Sequence, residues 1–255
     1  MIAIINSSKT LDFDQPALIK KHTIPEFMDD ANILIKELRN FSSGQIANLM
    51  GVSAKLADLN CERIAAWRSP FKPSNAKQAL AAFKGDVYDG LDAGTFSPAE
   101  IQFAQGHLRI LSGLFGILRP LDLIQPYRLE MAYKLATRRG KNLYEFWGTK
   151  ISESLNKAIT KDASGMLINL ASMEYFKTVK PKTLSGRIIT PVFKEYKDKK
   201  LKTVAIFTKK ARGLMCNYII KNHITRFADL RQFNKAGYCF DRKQSSGDKF
   251  VFVRG

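Results

Sequence analysis

The stretch GMLINLAS, residues 165–172, decides the fold class that we predict for this chain of 255 residues. Its apolar side chains form a nearly continuous run that ends in small polar residues, which is typical of a strand buried on both faces. Two further segments, GRIITPVFKEYK (186–197) and LKTVAIFTKKA (201–211), are rich in β-branched and aromatic residues, and the charged, turn-like KDKK (197–200) lies between them. Both are predicted as strands, so the second half of the chain is predicted to contain a β-sheet.

Two segments near the ends of the sequence are predicted to add strands. Residues 2–6, IAIIN, are predicted as a short buried strand that joins the later sheet. Residues 238–253, YCFDRKQSSGDKFVFV, are predicted as a hairpin that turns at Ser-Ser-Gly-Asp.

Apolar residues at helical spacing dominate the first half of the chain. The predicted helices cover residues 26–50, 53–67, 75–84, 98–114 and 212–222. Ser74 is expected to cap the third of these, and Ser97 with Pro98 to begin the fourth. Because alternating βαβ units are few, we predict an α+β fold over residues 1–255, a single compact unit with a mixed β-sheet and flanking helices.

The charge of the chain is +18 and is distributed unevenly. Residues 1–130 hold 14 lysines and arginines against 14 aspartates and glutamates, and residues 131–255 hold the other 27 and 9. A field of this size attracts polyanions and raises their rate of encounter. The alternative is a soluble protein with a lysine-rich surface, because basicity alone specifies no ligand.

The cysteines and histidines are too scattered to form a metal or redox site. The cysteines are Cys61, Cys216 and Cys239, and the histidines are His22, His107 and His223. No C-x-x-C pair or H-E-x-x-H motif is present, so no disulfide framework, metal site or cofactor is expected. No apolar stretch approaches the ~20 residues that span a bilayer, and a cytoplasmic, soluble protein is expected.

The stretch LMGVSAKLADL, residues 49–59, joins two predicted short helices by a tight turn. Gly51 allows close approach of the backbone, Val52 is expected to plug between the helices, and Ser53 is expected to cap the second. The free N–H groups at that helix start, with Lys55 one turn in, suit a phosphate. The turn resembles a helix-hairpin-helix motif over about residues 43–67, although Ser53 replaces its usual second glycine. The alternative is an ordinary helical corner with a glycine cap.

The stretch ILSGLFGILRPLDLIQPYRLEM, residues 110–131, embeds charges in an apolar sequence. We read it as an apolar helix interrupted by Gly113 and Gly116, followed by an extended segment fixed by prolines. Arg119, Arg128 and Glu130 are predicted to form a partly buried network below a basic cleft. The alternative is a buried Arg–carboxylate network that only pins a long loop.

Five blocks of the sequence carry a resemblance to a known family. They are SSKTLD (7–12), FKGDVYDGL (83–91), LSGLFGILRPLDLIQPYRLEM (111–131), NLASMEYFKTVKPK (169–182) and KKARGLM (209–215). Together they resemble the YaaA family, and the similarity runs essentially from end to end. The family usually opens with SPAKTLD, where this chain has Ser7-Ser8-Lys9.

The resemblance implies a cytosolic bacterial protein of the peroxide stress response that limits iron-driven oxidative damage. It also implies a single α+β unit with a helix-hairpin-helix element and a basic cleft that binds duplex DNA without sequence preference, and we expect a monomer. The residues expected to contact DNA are Gly51, Val52, Ser53, Lys55, Lys209, Lys210 and Arg212. Because the cysteines and histidines are isolated, protection is expected from shielding of DNA or from another activity that lowers free iron, and not from peroxide reduction.

An enzyme acting on a small anionic or nucleotide-like substrate is the second hypothesis, and a catalytic activity is less expected than DNA binding. Its pocket would collect polar residues from the blocks that match the family: Lys9, Tyr88, Arg119, Arg128, Glu130, Asn169, Ser172, Glu174 and Lys210. A closed pocket too small for duplex would favour the enzyme, whereas an open basic groove would favour DNA binding.

Overall fold

The computed structural model describes residues 1–197 and 200–255, so part of the predicted turn at 197–200 lies outside the described residues. The strands are β1 (Ile2–Asn6), β2 (Thr10–Leu11), β3 (Lys77–Gln78), β4 (Phe83–Lys84), β5 (Leu108–Ser112), β6 (Gly116–Leu118), β7 (Leu123–Ile124), β8 (Met166–Asn169), β9 (Arg187–Lys197), β10 (Lys200–Lys202), β11 (Cys239–Phe240) and β12 (Lys249–Arg254). The α-helices are α1 (Met28–Leu38), α2 (Ser43–Met50), α3 (Ala54–Ala66), α4 (Ala79–Ala82), α5 (Asp86–Leu91), α6 (Pro98–His107), α7 (Leu143–Trp147), α8 (Lys150–Lys161), α9 (Met173–Phe176) and α10 (Ala205–Lys221). Short 3₁₀ turns lie at Ala93–Thr95, Pro181–Thr183, Phe227–Gln232 and Lys235–Gly237.

A mixed central sheet has the strand order β11-β12-β9-β8-β1-β5-β6, and β10 pairs with β9. The five middle strands, β12, β9, β8, β1 and β5, run parallel to one another, whereas β11, β10 and β6 pair antiparallel with β12, β9 and β5, respectively. The fold is therefore compact and α+β, as predicted. The predictions that residues 2–6 form a strand of the later sheet and that 165–172 contains a buried strand are also confirmed, because β1 and β8 are adjacent.

The core lies where apolar strand residues meet the helices. Strand β1 is buried along almost its whole length, which suits a strand covered on both faces. Helix α6 packs against β1 and β5, and α10 packs against β9 and α5. Two glycines allow the contact between α5 and α10, because a Cβ atom on Gly90 would overlap the carbonyl oxygen of Lys210 and one on Gly213 would overlap that of Val87. The helices therefore approach each other closely.

Two of the predicted helices are wrong in extent. The predicted helix over 26–50 is two helices, because α1 ends at Leu38 and Ser42 begins α2 with a capping box that includes Gln45. The predicted helix over 75–84 is mostly absent, because only α4 is helical there and Gln78, not Ser74, precedes it. Strand β3 pairs with β7 and β4 with β2, so tertiary pairing overrides local helix propensity.

In two other regions, a segment predicted as helix forms strands or a segment predicted as strand forms a helix. The helix begun by Ser97 and Pro98 ends at His107, and the chain continues directly as β5. Gly113 and Gly116 lie at the turn between β5 and β6 and do not interrupt a helix, and Gly116 has a φ of +67°. Residues 201–211 contribute only β10 as a strand, because α10 begins at Ala205.

The predicted hairpin over 238–253 is confirmed, since β11 and β12 pair antiparallel.

Candidate functional site

A cavity of about 490 Å³ opens at the carboxyl ends of β1 and β8. It is lined by residues 6–10 after β1, residues 84–88 around the start of α5, Glu130, part of the segment 172–175 after β8, and Lys209 and Arg212 on α10. The chain leaves β1 toward β5 on one side and leaves β8 toward β9 on the other. Adjacent parallel strands whose connections diverge in this way leave a crevice at their carboxyl ends, where α/β sheets commonly bind ligands.

The strand ends are held together by a polar network beneath this cavity. The Ser172 N–H donates to Asn6 Oδ1 at 3.1 Å, and the Tyr88 hydroxyl donates to the Asn6 carbonyl at 3.1 Å. The Ser7 hydroxyl donates to the Tyr175 hydroxyl at 3.2 Å. Burial raises the pKa of both Tyr88 and Tyr175, so both remain neutral hydroxyls at physiological pH.

Two acidic residues of the cavity differ in how their oxygens are satisfied. Lys9 Nζ lies 3.1 Å from Glu130 Oε2, but Glu130 Oε1 is buried and has no hydrogen-bond partner among the described residues. Glu174 Oε1 accepts the N–H of Ala132 at 3.1 Å. A buried carboxylate oxygen without a donor is costly. Because solvent does not reach Oε1, a ligand in the cavity would meet Glu130 at Oε2, beside Lys9.

The basic residues of the cavity also differ. Lys209 Nζ lies 4.0 Å from Asp86 Oδ2, and Lys84 Nζ lies 3.4 Å from Asp12 Oδ2. Arg212 forms no ion pair or hydrogen bond within the described part of the chain. Burial lowers the pKa of Arg212, and a guanidinium stays charged at physiological pH even so. Arg212 is therefore a partly desolvated positive charge with no anionic partner among residues 1–197 and 200–255.

Five of the nine residues predicted for an enzyme pocket meet in this cavity: Lys9, Tyr88, Glu130, Ser172 and Glu174. The other four lie elsewhere. Arg119 Nη2 lies 2.8 Å from Asp122 Oδ1, Arg128 Nε contacts the Tyr133 hydroxyl at 3.5 Å, and the Asn169 side chain accepts the N–H of Ala171 at 3.1 Å. Lys210 is exposed and does not line the cavity.

The predicted network of Arg119, Arg128 and Glu130 is therefore wrong. Each of the three has a different partner: Asp122 for Arg119, Tyr133 for Arg128 and Lys9 for Glu130, and Asp122 is buried. Ser7, Asp86 and Tyr175 were missed as cavity residues, although all three lie inside the sequence blocks that carry the family resemblance.

The turn between α2 and α3 has the backbone of a glycine-capped helix end. Gly51 adopts φ 61° and ψ 48°, the left-handed conformation, and ends α2. Val52 is half-buried and packs against the core, whereas Ser53 and Lys55 are exposed. Ser53 occupies the position before α3 in extended conformation, but its hydroxyl makes no capping hydrogen bond, so the expectation of a Ser53 cap is wrong.

The surface around this turn is of mixed charge. Asp58 and Glu62 are exposed on α3 together with Lys55, and the Ser43 hydroxyl donates to Asp58 Oδ1 at 2.5 Å. The pKa of Arg63 is lowered, first by burial and then by the nearby charge of Arg128. Arg128 is two residues from Glu130, so the segment that reaches the cavity also passes beside α3.

Residues 1–197 and 200–255 contain neither a metal-type cluster nor a membrane-spanning helix. No group of three or more histidine, cysteine, aspartate or glutamate side chains is arranged to hold a metal ion. None of the helices combines the length and the apolar composition that are needed to cross a bilayer.

Comparison with known protein families matches most of the chain. The family model described as "Peroxide stress protein YaaA" matches residues 1–244.

Proposed function

The chain belongs to the YaaA family of peroxide stress proteins, and from this premise we propose that it protects the cell as a cytoplasmic, monomeric DNA-binding protein. It binds duplex DNA without sequence preference through the turn between α2 and α3 and through exposed basic side chains of a cleft. Coverage of the duplex limits iron-driven oxidative damage to it. A role in peroxide stress follows from the family, whereas the DNA partner is the proposal.

The exposed start of α3 is the observation that carries the proposal. The first N–H groups of an α-helix have no partner within the helix, and the helix dipole places partial positive charge there. In α3 the Ser53 hydroxyl does not accept a hydrogen bond from these N–H groups. A Cβ atom on Gly51 would meet nothing within 4 Å, so the approach to the turn is open. A backbone phosphate fits such a site, and phosphate contacts read no bases.

Long-range attraction comes from the rest of the chain. The charges on α3 itself are mixed, but the net charge of the chain is +18. Lys209 and Lys210 are exposed on α10 and are available to further phosphates, whereas Arg212 is half-buried in the cavity. We therefore assign duplex contacts to Gly51, Ser53 and Lys55 at the turn and to the two exposed lysines, with Val52 as the side chain that packs the turn against the core.

Titration of duplex DNA at several salt concentrations tests the proposal. Each phosphate neutralised by a cation contributes about −0.9 to the slope of log affinity against log salt. We expect a steep slope that is the same for two duplexes of unrelated sequence. Absence of binding at low salt, or an affinity that does not change with salt, would refute the proposal.

An enzymatic function has one observation in its favour. The cavity of about 490 Å³ has the size of a small-molecule site and cannot admit a duplex. A small molecule in that cavity and a duplex at the start of α3 would bind at different places on the protein.

A further inference from the structure

We propose that the cavity at the carboxyl ends of β1 and β8 binds a small phosphorylated sugar, with the phosphate at Arg212 and Lys209 and a sugar hydroxyl at Glu130. This site goes beyond DNA binding and does not depend on it. The ligand class follows from two chemically opposite groups that line the same cavity, together with its position and size.

The first group is the guanidinium of Arg212. It is a charge that has lost much of its hydration and that no acidic side chain of the described ranges neutralises. A buried charge is stable when it is paired, and a guanidinium pairs best with a planar carboxylate or a phosphate in bidentate geometry. Lys209 lines the same cavity, and its ion pair with Asp86 is long, at 4.0 Å. Two cations around one position suit a phosphate dianion better than a single carboxylate.

The second group is the carboxylate of Glu130. Lys9 Nζ contacts Oε2, which keeps a second lone pair for a further donor, whereas Oε1 is enclosed by the protein. A phosphate cannot occupy this position, because two anions would repel each other. A hydroxyl group can, because it donates a hydrogen bond, and acidic side chains recognise ribose hydroxyls in this manner in dinucleotide-binding folds. The ligand must therefore be anionic at one end and a hydrogen-bond donor at the other.

The fold explains why these groups meet. Gly90 and Gly213 allow α10 to pack closely on α5, and this contact places Lys209 and Arg212 beside the segment 84–88. Glu130 and the residues after β1 complete the lining at the point where the connections of the two parallel strands diverge. A volume of about 490 Å³ accommodates a sugar phosphate or a nucleoside monophosphate.

Calorimetric titration of the full chain with four probes tests the proposal: ribose 5-phosphate, AMP, ribose and inorganic phosphate. We expect ribose 5-phosphate or AMP to bind about tenfold or more tightly than ribose and inorganic phosphate do, because only the esters satisfy both groups. Failure of both esters to bind at millimolar concentration would overturn the proposal, as would equal affinity for inorganic phosphate and both esters.

Variants separate the two contacts. Arg212→Met is expected to weaken binding of the better ester about 10- to 100-fold, and Lys209→Met, which changes an exposed side chain and keeps the fold, about three- to tenfold. Glu130→Gln is expected to weaken ester binding while leaving the affinity for inorganic phosphate unchanged or higher. Arg242→Met removes one exposed charge in the turn between β11 and β12 and is the matched control, with unchanged affinity expected. Ester binding that survives both Arg212→Met and Lys209→Met would also overturn the proposal.

Two substitutions that each affect one site keep this proposal distinct from DNA binding, whereas Lys209 is assigned to both sites. Arg212→Met is expected to leave duplex affinity almost unchanged, whereas Lys55→Glu is expected to leave ester binding unchanged. A chain that binds duplex but neither ester refutes only the phosphorylated-sugar site, and the reverse result refutes only the DNA proposal.

Discussion

Reversal of the charge at Lys55 is the most direct test of whether the turn between α2 and α3 holds a phosphate. Lys55 is exposed in the first turn of α3 and makes no ion pair within the described ranges. Glutamate and lysine have similar helix propensities, and an acidic residue near a helix start is favoured by the helix dipole. Lys55→Glu should therefore fold with an unchanged melting temperature.

The expected loss of affinity follows from Coulomb's law. A lysine charge about 5 Å from a phosphate contributes about 0.8 kcal/mol in water, and a glutamate at the same distance costs as much. The reversal therefore weakens binding by about 1.7 kcal/mol, or roughly 15-fold, and removes about 0.9 from the slope of the salt dependence. Salt screens this interaction over about 10 Å at 0.1 M, so the effect should be largest at low ionic strength.

Lys235→Glu is the matched control for a fluorescence anisotropy titration with labelled duplex. Lys235 is also exposed, and Lys235→Glu changes the net charge by the same amount as Lys55→Glu. Lys235 lies near β12, far along the sheet from the turn between β5 and β6, where Phe115 contacts Trp67 at the end of α3. An equal loss for the two variants, or no loss for Lys55→Glu, would show that the turn is only a connector and that binding belongs to overall charge.

Gly51→Glu is a poorer test than Lys55→Glu. The left-handed conformation of Gly51 makes any substitution there cost about 1–2 kcal/mol in folding free energy. An effect of that variant on duplex binding would therefore mix loss of stability with loss of contact.

Four other substitutions test the packing that we describe, each by thermal unfolding. Val52→Ala should lower the free energy of unfolding by about 1 kcal/mol, because the half-buried side chain packs against the core, and an unchanged melting temperature would contradict this. Asp122→Asn should lower it by about 2–3 kcal/mol, because the buried carboxylate accepts hydrogen bonds from Arg119 and Thr23, and a loss below 0.5 kcal/mol would count against this pairing. Burial alone would raise the pKa of Asp30, but bonds from Lys150 and Arg139 lower it below that of the unfolded chain; the stability it contributes is present above about pH 4 and is lost as pH falls, so Asp30→Asn should flatten the decline of the melting temperature below that pH. Gly213→Ala should destabilise the chain by more than about 3 kcal/mol, because the new methyl group would overlap the backbone of α5, and normal folding of this variant would refute the close contact.

The sequence predicts the buried strands of this fold better than its short mixed segments. Strands β1 and β8 are recognisable because a strand covered on both faces leaves a continuous apolar run. The region 75–84 is not recognisable, because two-residue strands pair with partners far along the chain and carry no periodicity of their own. The start of α10 was mistaken for a strand since its β-branched and aromatic residues, including the exposed Ile206 and Phe207, have strand propensity.

The sequence predicted several of the residues that line the cavity but not the ion pairs that they form. Lys9, Tyr88, Glu130 and Glu174 belong to separate sequence blocks, and the fold collects them at one cavity. Which carboxylate pairs with which cation depends on side-chain directions that spacing alone does not provide. Glu130 therefore pairs with the exposed Lys9 and with neither predicted arginine, so Glu130→Gln should cost little stability.

The order of strands in the sheet has a consequence for how the chain folds. Strand β1 lies between β5 and β8, so its two hydrogen-bonded neighbours come from residues more than 100 positions later. Contacts of such long sequence separation require closure of large loops before any pairing energy is gained, which slows folding. During synthesis, the apolar residues 2–5 remain unpaired until β5 has left the ribosome, and their other edge remains unpaired until β8 has followed. In this interval the nascent chain is exposed to aggregation, and binding by chaperones at this segment would protect it.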